Sequence, residues 1–309
     1  MKSISVVIVN WNAGHQLLEC VNSVIQYGET LVGQIIIVDN GSTDGSDNDC
    51  VNLPQVTLIR AGLNLGFAKA CNIAAAQARS EFLLFLNPDT RLFSDSLVKV
   101  LDFMQKQENI KVGICGLQLI DEHGHNWRSC ARYPSPIRFF VHAIGLDRFL
   151  PTLGHFMSEW DHTTTREVDH VIGAFYFVRR HVFEMLHGFD ERFFVYLEDI
   201  DFSCRARRLG WISLYLAEAQ AFHAGGGTSR HVKALRLFYS LRSRILYAFK
   251  HFNPFAAMLV LLATLCLEFL SRSLQATSHC SREALKEIWT AYSMLFRWLP
   301  VWILKGVTS

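Results

Sequence analysis

The stretch Glu81-Phe-Leu-Leu-Phe-Leu-Asn-Pro-Asp89-Thr90 delivers a carboxylate at the end of an unbroken apolar run. Five large apolar residues without alternation, Phe82 to Leu86, predict a strand buried on both faces, as in the parallel sheets of α/β proteins. Pro88 ends the ladder, and ligands of open α/β sheets bind beyond the carboxyl ends of the strands. Asp89 is therefore expected on the working edge, its charge not neutralised by the core, where a divalent cation is its natural partner. A plain strand-ending turn accounts for the same tripeptide, since Asn, Pro and Asp all favour turns. A second apolar strand, Ile35–Val38, runs into Asp39-Asn-Gly-Ser-Thr-Asp-Gly-Ser46, so Asp39 and Asp89 should share an edge. A carboxylate there can accept a hydrogen bond from N3–H of uracil or thymine, a donor that cytosine lacks. An Asn-Gly turn with capping Ser and Thr explains residues 40–46 but leaves Asp39 unexplained.

Three more acids fall within four positions at Glu198, Asp199 and Asp201, directly after the aromatic-rich Phe193-Phe-Val-Tyr196. As the first turn of a helix they suit its dipole, with Arg205, Arg207 and Arg208 near the far end and Gly210 as the stop. That reading explains the helix ends but not the aromatic approach. Apolar neighbours that raise a carboxylate's proton affinity are what a general base near neutral pH requires. Two further segments carry polar groups beside glycine. In Asn64-Leu-Gly66-Phe67-Ala-Lys-Ala-Cys-Asn72, the glycine and the helix after it could let backbone and amide groups approach a nucleotide. In Ala221-Phe-His223-Ala-Gly-Gly-Gly, a histidine precedes a glycine run, although a lone histidine is more often structural.

The elements that must position these groups alternate along the chain. Strands are expected at Ser5–Val9, Gln34–Val38, Val56–Ile59, Phe82–Leu86, Val112–Leu117 and Val171–Arg179. Helices are expected at His15–Tyr27, Ala68–Ala78, Leu97–Gln107 and from His181 to Leu186. This is an α/β fold. The stretch Asp121–Asp169, with Pro134, Pro136 and Pro151, reads as an irregular substrate-side loop. Length and composition agree: 309 residues, half of them hydrophobic and 19% charged, exclude disorder and allow a catalytic domain with a smaller appendage. The eight cysteines lie at least fourteen positions apart, without metal or redox spacing, and read as buried thiols. The N-terminal apolar run is too short for a signal peptide and reads as a first strand, which places the chain in the cytoplasm.

In this order the motifs resemble those of the family-2 glycosyltransferases of the nucleotide-diphospho-sugar (GT-A) fold, in particular the rhamnosyltransferase-like subgroup. The pieces are Val6-Val-Ile-Val-Asn10-Trp-Asn12, the Asp39–Asp44 turn, Asn64-Leu-Gly-Phe-Ala, Asn87-Pro-Asp89, Gly173-Ala174-Phe, Glu198-Asp-Ile-Asp201 and His223, spanning about Ser3 to Ser229. The resemblance implies a mixed sheet flanked by helices in a catalytic domain of residues 1–225. It implies inverting transfer of a sugar, rhamnosyl from dTDP-rhamnose by preference, to a glycan or polyprenyl-diphosphate-linked acceptor in cell-surface polysaccharide assembly. Asp39 would contact the base, within a donor site of Asn10, Asn12, Asn64, Gly66, Phe67, Asn72 and Asn87. Gly173 and Ala174 would line the sugar pocket. Asp89, with His223, would hold Mg²⁺ or Mn²⁺, and Asp199 would be the catalytic base, with Glu198 and Asp201 as rivals for that role. The family's usual Asp-x-Asp is Asn87-Pro-Asp89 here, which removes one charge from the metal site.

Residues 226–309 are expected to form a basic and apolar helical tail. From residue 225 onward there are eleven Lys/Arg against three Asp/Glu, a net of +8, while the rest of the chain is acidic. A basic stripe through Arg230, Lys233, Arg236 and Arg244 is followed by apolar Phe255–Leu267. Those thirteen residues fall short of the roughly 20 that span a bilayer and fit an interfacial, re-entrant or core helix. Trp289, Tyr292, Phe296, Trp298 and Trp302, with Arg297 and Lys305, suit a headgroup region. Peripheral attachment to the inner face of the cell membrane is the expectation; a helical pair folded onto the catalytic domain is the alternative. Three readings compete on function: a transferase using another UDP-sugar, a non-catalytic sugar-nucleotide or lipid-carrier binder, and a nucleic-acid binder. The last lacks aromatics interleaved with the basic segment, and no nucleic-acid partner is expected.

Overall fold

All seven residues of strand β1 (Ile4–Asn10) are buried. The sheet explains why: β1 lies between β2 (Val32–Asp39) and β4 (Phe82–Leu86), parallel to both. The computed structural model describes residues 2–53, 55–225 and 232–306. They divide into two compact units, one drawn from residues 1–132, 160–191 and 198–225, the other from 133–159, 192–197 and 232–306.

In the first unit the remaining strands are β3 (Val56–Arg60), β5 (Thr90–Leu92), β6 (Val112–Ile120), β7 (Cys130–Ala131), β8 (Arg166–Val168), β9 (His170–Val171), β10 (Phe175–Arg179) and β11 (Ile212–His223). Their order is β3-β2-β1-β4-β10-β6-β11-β5, with β8 on β11 and a separate β7-β9 pair. Strand β10 runs antiparallel to β4 and β6, so the sheet is mixed, as the family resemblance implied. Helices α1 (His15–Gly28) and α3 (Ser96–Gln105) cover one face, where Leu17, Val21, Leu97 and Val100 join Val6, Ile8 and Leu84 in one core. On the other face lie α2 (Phe67–Ala75), α5 (Arg180–Met185) and α6 (Glu198–Arg208). There the Phe85 ring packs 5.0 Å from Phe183 and 4.9 Å from Phe189. Burying each such ring contributes about 1.5–3 kcal/mol.

Register places the candidate residues. Asn10 pairs with Asp39 and Ile8 with Leu86, so β1 and β2 end level and β4 ends two residues short of them. Because β10 runs the other way, Phe175 opposite Leu86 brings Gly173 and Ala174 to that same edge. His223 opposite Thr90 brings the end of β11 there too. One expectation fails in part: residues 121–169 are not all irregular. They hold β7, β8 and helix α4 (Pro136–Ala143), whose start is set by Ser135 Oγ accepting from Arg138 N at 3.2 Å, with Pro136 in the first turn.

The second unit holds α4 together with α7 (Lys233–His251), α8 (Pro254–Leu262), a π-helical stretch at Ala263–Glu268, α9 (Phe269–Ser278) and α10 (Arg282–Lys305). One expectation about the tail is corrected. The helix does not stop with the apolar run at Leu267: Pro254–Ser278 is continuous helix, long and apolar enough to cross a membrane by length and composition. The basic stripe divides between surface and interior. Arg230 lies outside the described residues, Lys233 and Arg236 are exposed, and Arg244 is buried against Glu268. Arg244 sits among Leu241, Ile245 and Ala248 on the packed side of α7, so counting basic residues misassigned it.

Glu268 also receives Arg272 at 2.7 Å, and His142 lies 4.0 Å away. Burial would raise this carboxyl, but the charges of Arg244, Arg272 and His142 outweigh it and bring the pKa down to about 2. The stability that ionised Glu268 contributes is therefore present above the ordinary carboxyl range and lost as pH falls from 4.5 toward 2. Glu268→Ala leaves Arg244 buried without its partner and should cost about 3–5 kcal/mol in urea unfolding near neutral pH. That cost should shrink as the pH approaches the depressed pKa. A variant as stable as the parent at pH 7 would contradict this account.

Candidate functional site

The end of β2 is latched to the end of β1. Asn10 Nδ2 donates to Asp39 Oδ1 at 2.9 Å, Ser46 Oγ at 2.8 Å and Ser42 Oγ at 3.1 Å, while Ser42 N donates to Asp39 Oδ2 at 3.2 Å. Asn12, in the left-handed region at φ +53°, accepts from Thr43 N at 2.7 Å, and its own N–H reaches Ser42 Oγ at 2.9 Å. Asn10 and Asn12 thus build the loop that holds Asp39. Asn40, which the sequence reading left inside a turn, joins this loop to the next: its amide donates to Asn64 Oδ1 at 2.9 Å and accepts from Leu65 N at 2.8 Å. Gly41 has φ +78°, and a Cβ there would lie 2.8 Å from the Leu63 carbonyl carbon, so only glycine lets the two loops meet. Asn64 also accepts from Gly66 N at 3.0 Å, which fixes the turn into α2 and sets Phe67, half-buried, at its first position. Asn72 lies further along. Its amide exchanges hydrogen bonds of 2.9 Å with both backbone groups of Phe189 and donates to Glu191 Oε1 at 3.1 Å, so it is engaged with the 188–191 loop.

Asp89 and His223 meet because β5 pairs with β11. Ala224 N donates to the Asp89 carbonyl at 3.1 Å, and His223 Nε2 lies 3.3 Å from Asp89 Oδ1. Both side chains are only 8% exposed. The loop before Asp89 is tied to the sugar-pocket candidates, with Asn87 N donating to the Ala174 carbonyl at 3.0 Å. His223 Nδ1 is buried with no partner among the described residues, and the Trp127 ring lies 5.5 Å from the imidazole. A carboxylate oxygen and an imidazole nitrogen within one reach suit Mg²⁺ or Mn²⁺. Among the described residues no group of three or more His, Cys, Asp or Glu that could hold a metal ion gathers.

The three acids of α6 occupy different environments. Asp201 is fully buried and bound by Arg205 Nε at 2.8 Å, while that guanidinium also donates to the Leu186 and Gly188 carbonyls. Glu198 is buried, with Oε2 unpartnered among the described residues. Burial and the neighbouring charges of Asp199 and Asp201 push its carboxyl well above the usual range. Asp199 keeps its side chain 19% exposed. Its Oδ1 accepts from Ile200 N at 2.8 Å and its Oδ2 from Gly173 N at 2.9 Å, and His170 Nε2 stands 3.4 Å from Oδ2. Burial opposes ionisation there, but the His170 charge and these hydrogen bonds prevail and hold Asp199 below the usual carboxylate range. Burial therefore raises proton affinity at Glu198, and Asp199 remains a carboxylate. A Cβ on Gly173 would lie 2.9 Å from Asp199 Oδ2. His170, Ser203 and Tyr176 carry no distinguishing signal in the sequence; pairing between distant segments brings them together.

Comparison with known proteins follows the same lines. The model of the family described as glycosyl transferase family 2 matches residues 5–186. An N-acetylglucosaminyl-diphospho-decaprenol L-rhamnosyltransferase of Mycobacterium tuberculosis is 31% identical over 235 residues, covering 71% of this chain and 75% of the relative. Rhamnosyltransferase WbbL of Escherichia coli K12 is 25% identical over 228 residues, covering 69% and 81%. Among solved structures, the Pyrobaculum calidifontis mannosyltransferase PcManGT in complex with GDP-Man and Mn2+ superposes with a TM-score of 0.54 at 16% identity, covering 98% of this chain and 81% of that one. S. aureus TarS 1-349 in complex with UDP-GlcNAc gives 0.56 at 16% identity, covering 93% and 78%. These structural likenesses speak to the fold, and the sequence matches speak to the family. The chain belongs to glycosyl transferase family 2.

Proposed function

We propose that this glycosyltransferase moves a sugar, rhamnosyl by preference, from a dTDP- or UDP-linked donor to a hydroxyl of a glycan or polyprenyl-diphosphate-linked acceptor, with inversion. The observation that carries the reading is the placement of three chemically distinct groups on one sheet edge: Asp39, the Asp89–His223 pair and Asp199. The rhamnosyltransferase names of the sequence relatives favour the sugar and the lipid-linked acceptor. Asp39, held by Asn10 and the Ser42 backbone, keeps lone pairs for a pyrimidine N3–H. Asn64 and Gly66 shape the loop beside it, and Gly173 and Ala174 border the sugar. Asp89 and His223 would hold Mg²⁺ or Mn²⁺, which when bound neutralises charge on the donor diphosphate.

Asp199 takes the proton of the acceptor hydroxyl as that oxygen bonds to the anomeric carbon and the bond to the diphosphate breaks. Its lowered proton affinity is compatible with this role. The hydroxyl becomes strongly acidic only as its oxygen bonds to carbon, so a carboxylate can accept the proton late. Glu198, held protonated by burial, and Asp201, tied to Arg205, are poorer bases in this setting.

Residues 1–225 are read as the catalytic domain and 226–309 as its attachment to the inner face of the cell membrane. Phe255, Leu259, Leu262, Leu270 and Leu274 form one exposed apolar stripe, with Phe255 at 75% and Leu274 at 70% exposure. Glu268 faces inward from the same helix, paired with Arg272 one turn on and with Arg244 of α7. A helix with one apolar side out and a charged side packed lies in an interface more readily than it spans.

Release of nucleoside diphosphate should occur with one donor from a panel of dTDP- and UDP-sugars, given Mn²⁺ and extracted bacterial lipid acceptors. Asp199→Asn should lose about 10²–10⁴-fold in turnover while retaining donor binding; Asp89→Ala should lose the metal dependence of that binding. Donor binding without turnover by the parent under every acceptor would count for a non-catalytic binder. In a second experiment, the parent should float with vesicles containing anionic lipid, and replacement of Leu259 and Leu262 by Ser should release it. Recovery of the parent in the soluble fraction at low salt would contradict the attachment.

A further inference from the structure

Asp199 is backed by a closed chain of hydrogen bonds in the first unit. Tyr176 OH donates to the Asp199 carbonyl at 3.3 Å, Tyr176 OH and Ser203 Oγ are 2.7 Å apart, and Ser203 Oγ is 2.9 Å from His170 Nδ1. One arrangement of hydrogens satisfies all three contacts. The single Tyr176 hydrogen goes to the carbonyl, so Ser203 donates to the phenol oxygen and accepts from Nδ1–H of His170. In the neutral ring that leaves Nε2 bare, and Nε2 faces Asp199 Oδ2 at 3.4 Å. Two lone pairs at that distance repel unless a proton enters between them. All of these residues but Asp199 are buried, so water does not readily supply it.

We infer that His170 is a positioning residue that receives, through Asp199, the proton removed from the acceptor hydroxyl. This rests on Asp199 being the base. The acceptor O–H bond breaks, its electron pair forms the bond to the anomeric carbon, and the old bond's pair leaves on the diphosphate. The proton passes to Asp199 and then to His170 Nε2, giving an imidazolium beside a restored carboxylate. Two features support the transfer. Ser203 fixes the ring so that Nε2, and not Nδ1, meets the carboxylate. Gly173 N and Ile200 N hold both carboxylate oxygens, so Asp199 cannot turn away from the ring.

The other titratable groups around the pair are Glu198 and Asp201 on α6, Cys71 on α2, Tyr176 on β10 and Cys130 on β7. Burial holds Glu198 protonated and pushes the Cys71 thiol up, burial raises Cys130 to about 12, and Asp201 is paired with Arg205. The pair of Asp199 and His170 is left to carry the proton.

The test is the pH dependence of nucleoside-diphosphate release by the full chain, with His170→Gln, Ser203→Ala and Asp199→Asn beside the parent. His170→Gln should lower kcat by about 10- to 100-fold, the size seen when a group orienting an essential residue is removed. KM for the donor should not change, and the acid limb of the profile should flatten. Ser203→Ala should shift the limb with a smaller loss, and it decides the matter if His170→Gln does not fold. A His170→Gln or Ser203→Ala profile of unchanged shape, at whatever rate, overturns the inference. Near-normal turnover by Asp199→Asn removes the base assignment and the inference with it. Loss in Asp199→Asn with no change in the other two removes the inference alone.

Discussion

Asn10 and Asp39 face each other across two parallel strands, and the amide of one holds the carboxylate of the other at 2.9 Å. A carboxylate at the end of a buried strand is costly unless it is hydrogen-bonded, and a donor site needs it to keep lone pairs turned outward. The latch meets both demands. It also draws Ser42, Ser46 and Asn12 into one loop, and through Asn40 it aligns the 63–66 loop that starts α2. The neighbouring ends of β1, β2 and β4 turn this local solution into an edge along which separate charges are spaced.

The antiparallel strands complete that edge. Strands β10 and β5 run against the parallel set while β11 runs with it, so the start of β10 and the end of β11 arrive beside Asp89. Gly173 is the contact point between β10 and α6, because its N–H binds Asp199 and the space of its missing Cβ is taken by the Asp199 carboxylate. Three acids in one helical turn are separated by what touches them: an arginine for Asp201, apolar burial for Glu198, and backbone N–H groups with His170 for Asp199. Electrostatic environment, more than residue type, assigns their roles.

Much of this was legible in the amino-acid order. Unbroken apolar runs revealed β1, β2 and β4, and a carboxylate after such a run marked Asp39 and Asp89, because strand burial and edge placement are local consequences of composition. Less legible was anything set by pairing between distant segments. Strand register decides that His223 meets Asp89, and no spacing encodes it. His170 falls between the stretch read as irregular and the strand expected from Val171, and its partners come from β10 and α6. Asn10, Asn12 and Asn72 were expected against the donor, yet their amides are engaged in holding loops. The stop of the apolar run at Leu267 misled on helix length, since Glu268 is neutralised by Arg244 and Arg272 and the helix continues through it.

The central claim is that the carboxyl edge of the sheet, from Asp39 to Asp199, is the nucleotide-sugar site. It is tested most directly by a crystal structure of the full chain with dTDP and Mn²⁺, locating the metal by its anomalous scattering. The account predicts the pyrimidine N3 against Asp39, the diphosphate over Asp89 and His223 with the metal between, and open space beside Asp199 for an acceptor. A nucleotide bound away from this edge, or a metal that touches neither Asp89 nor His223, would contradict it.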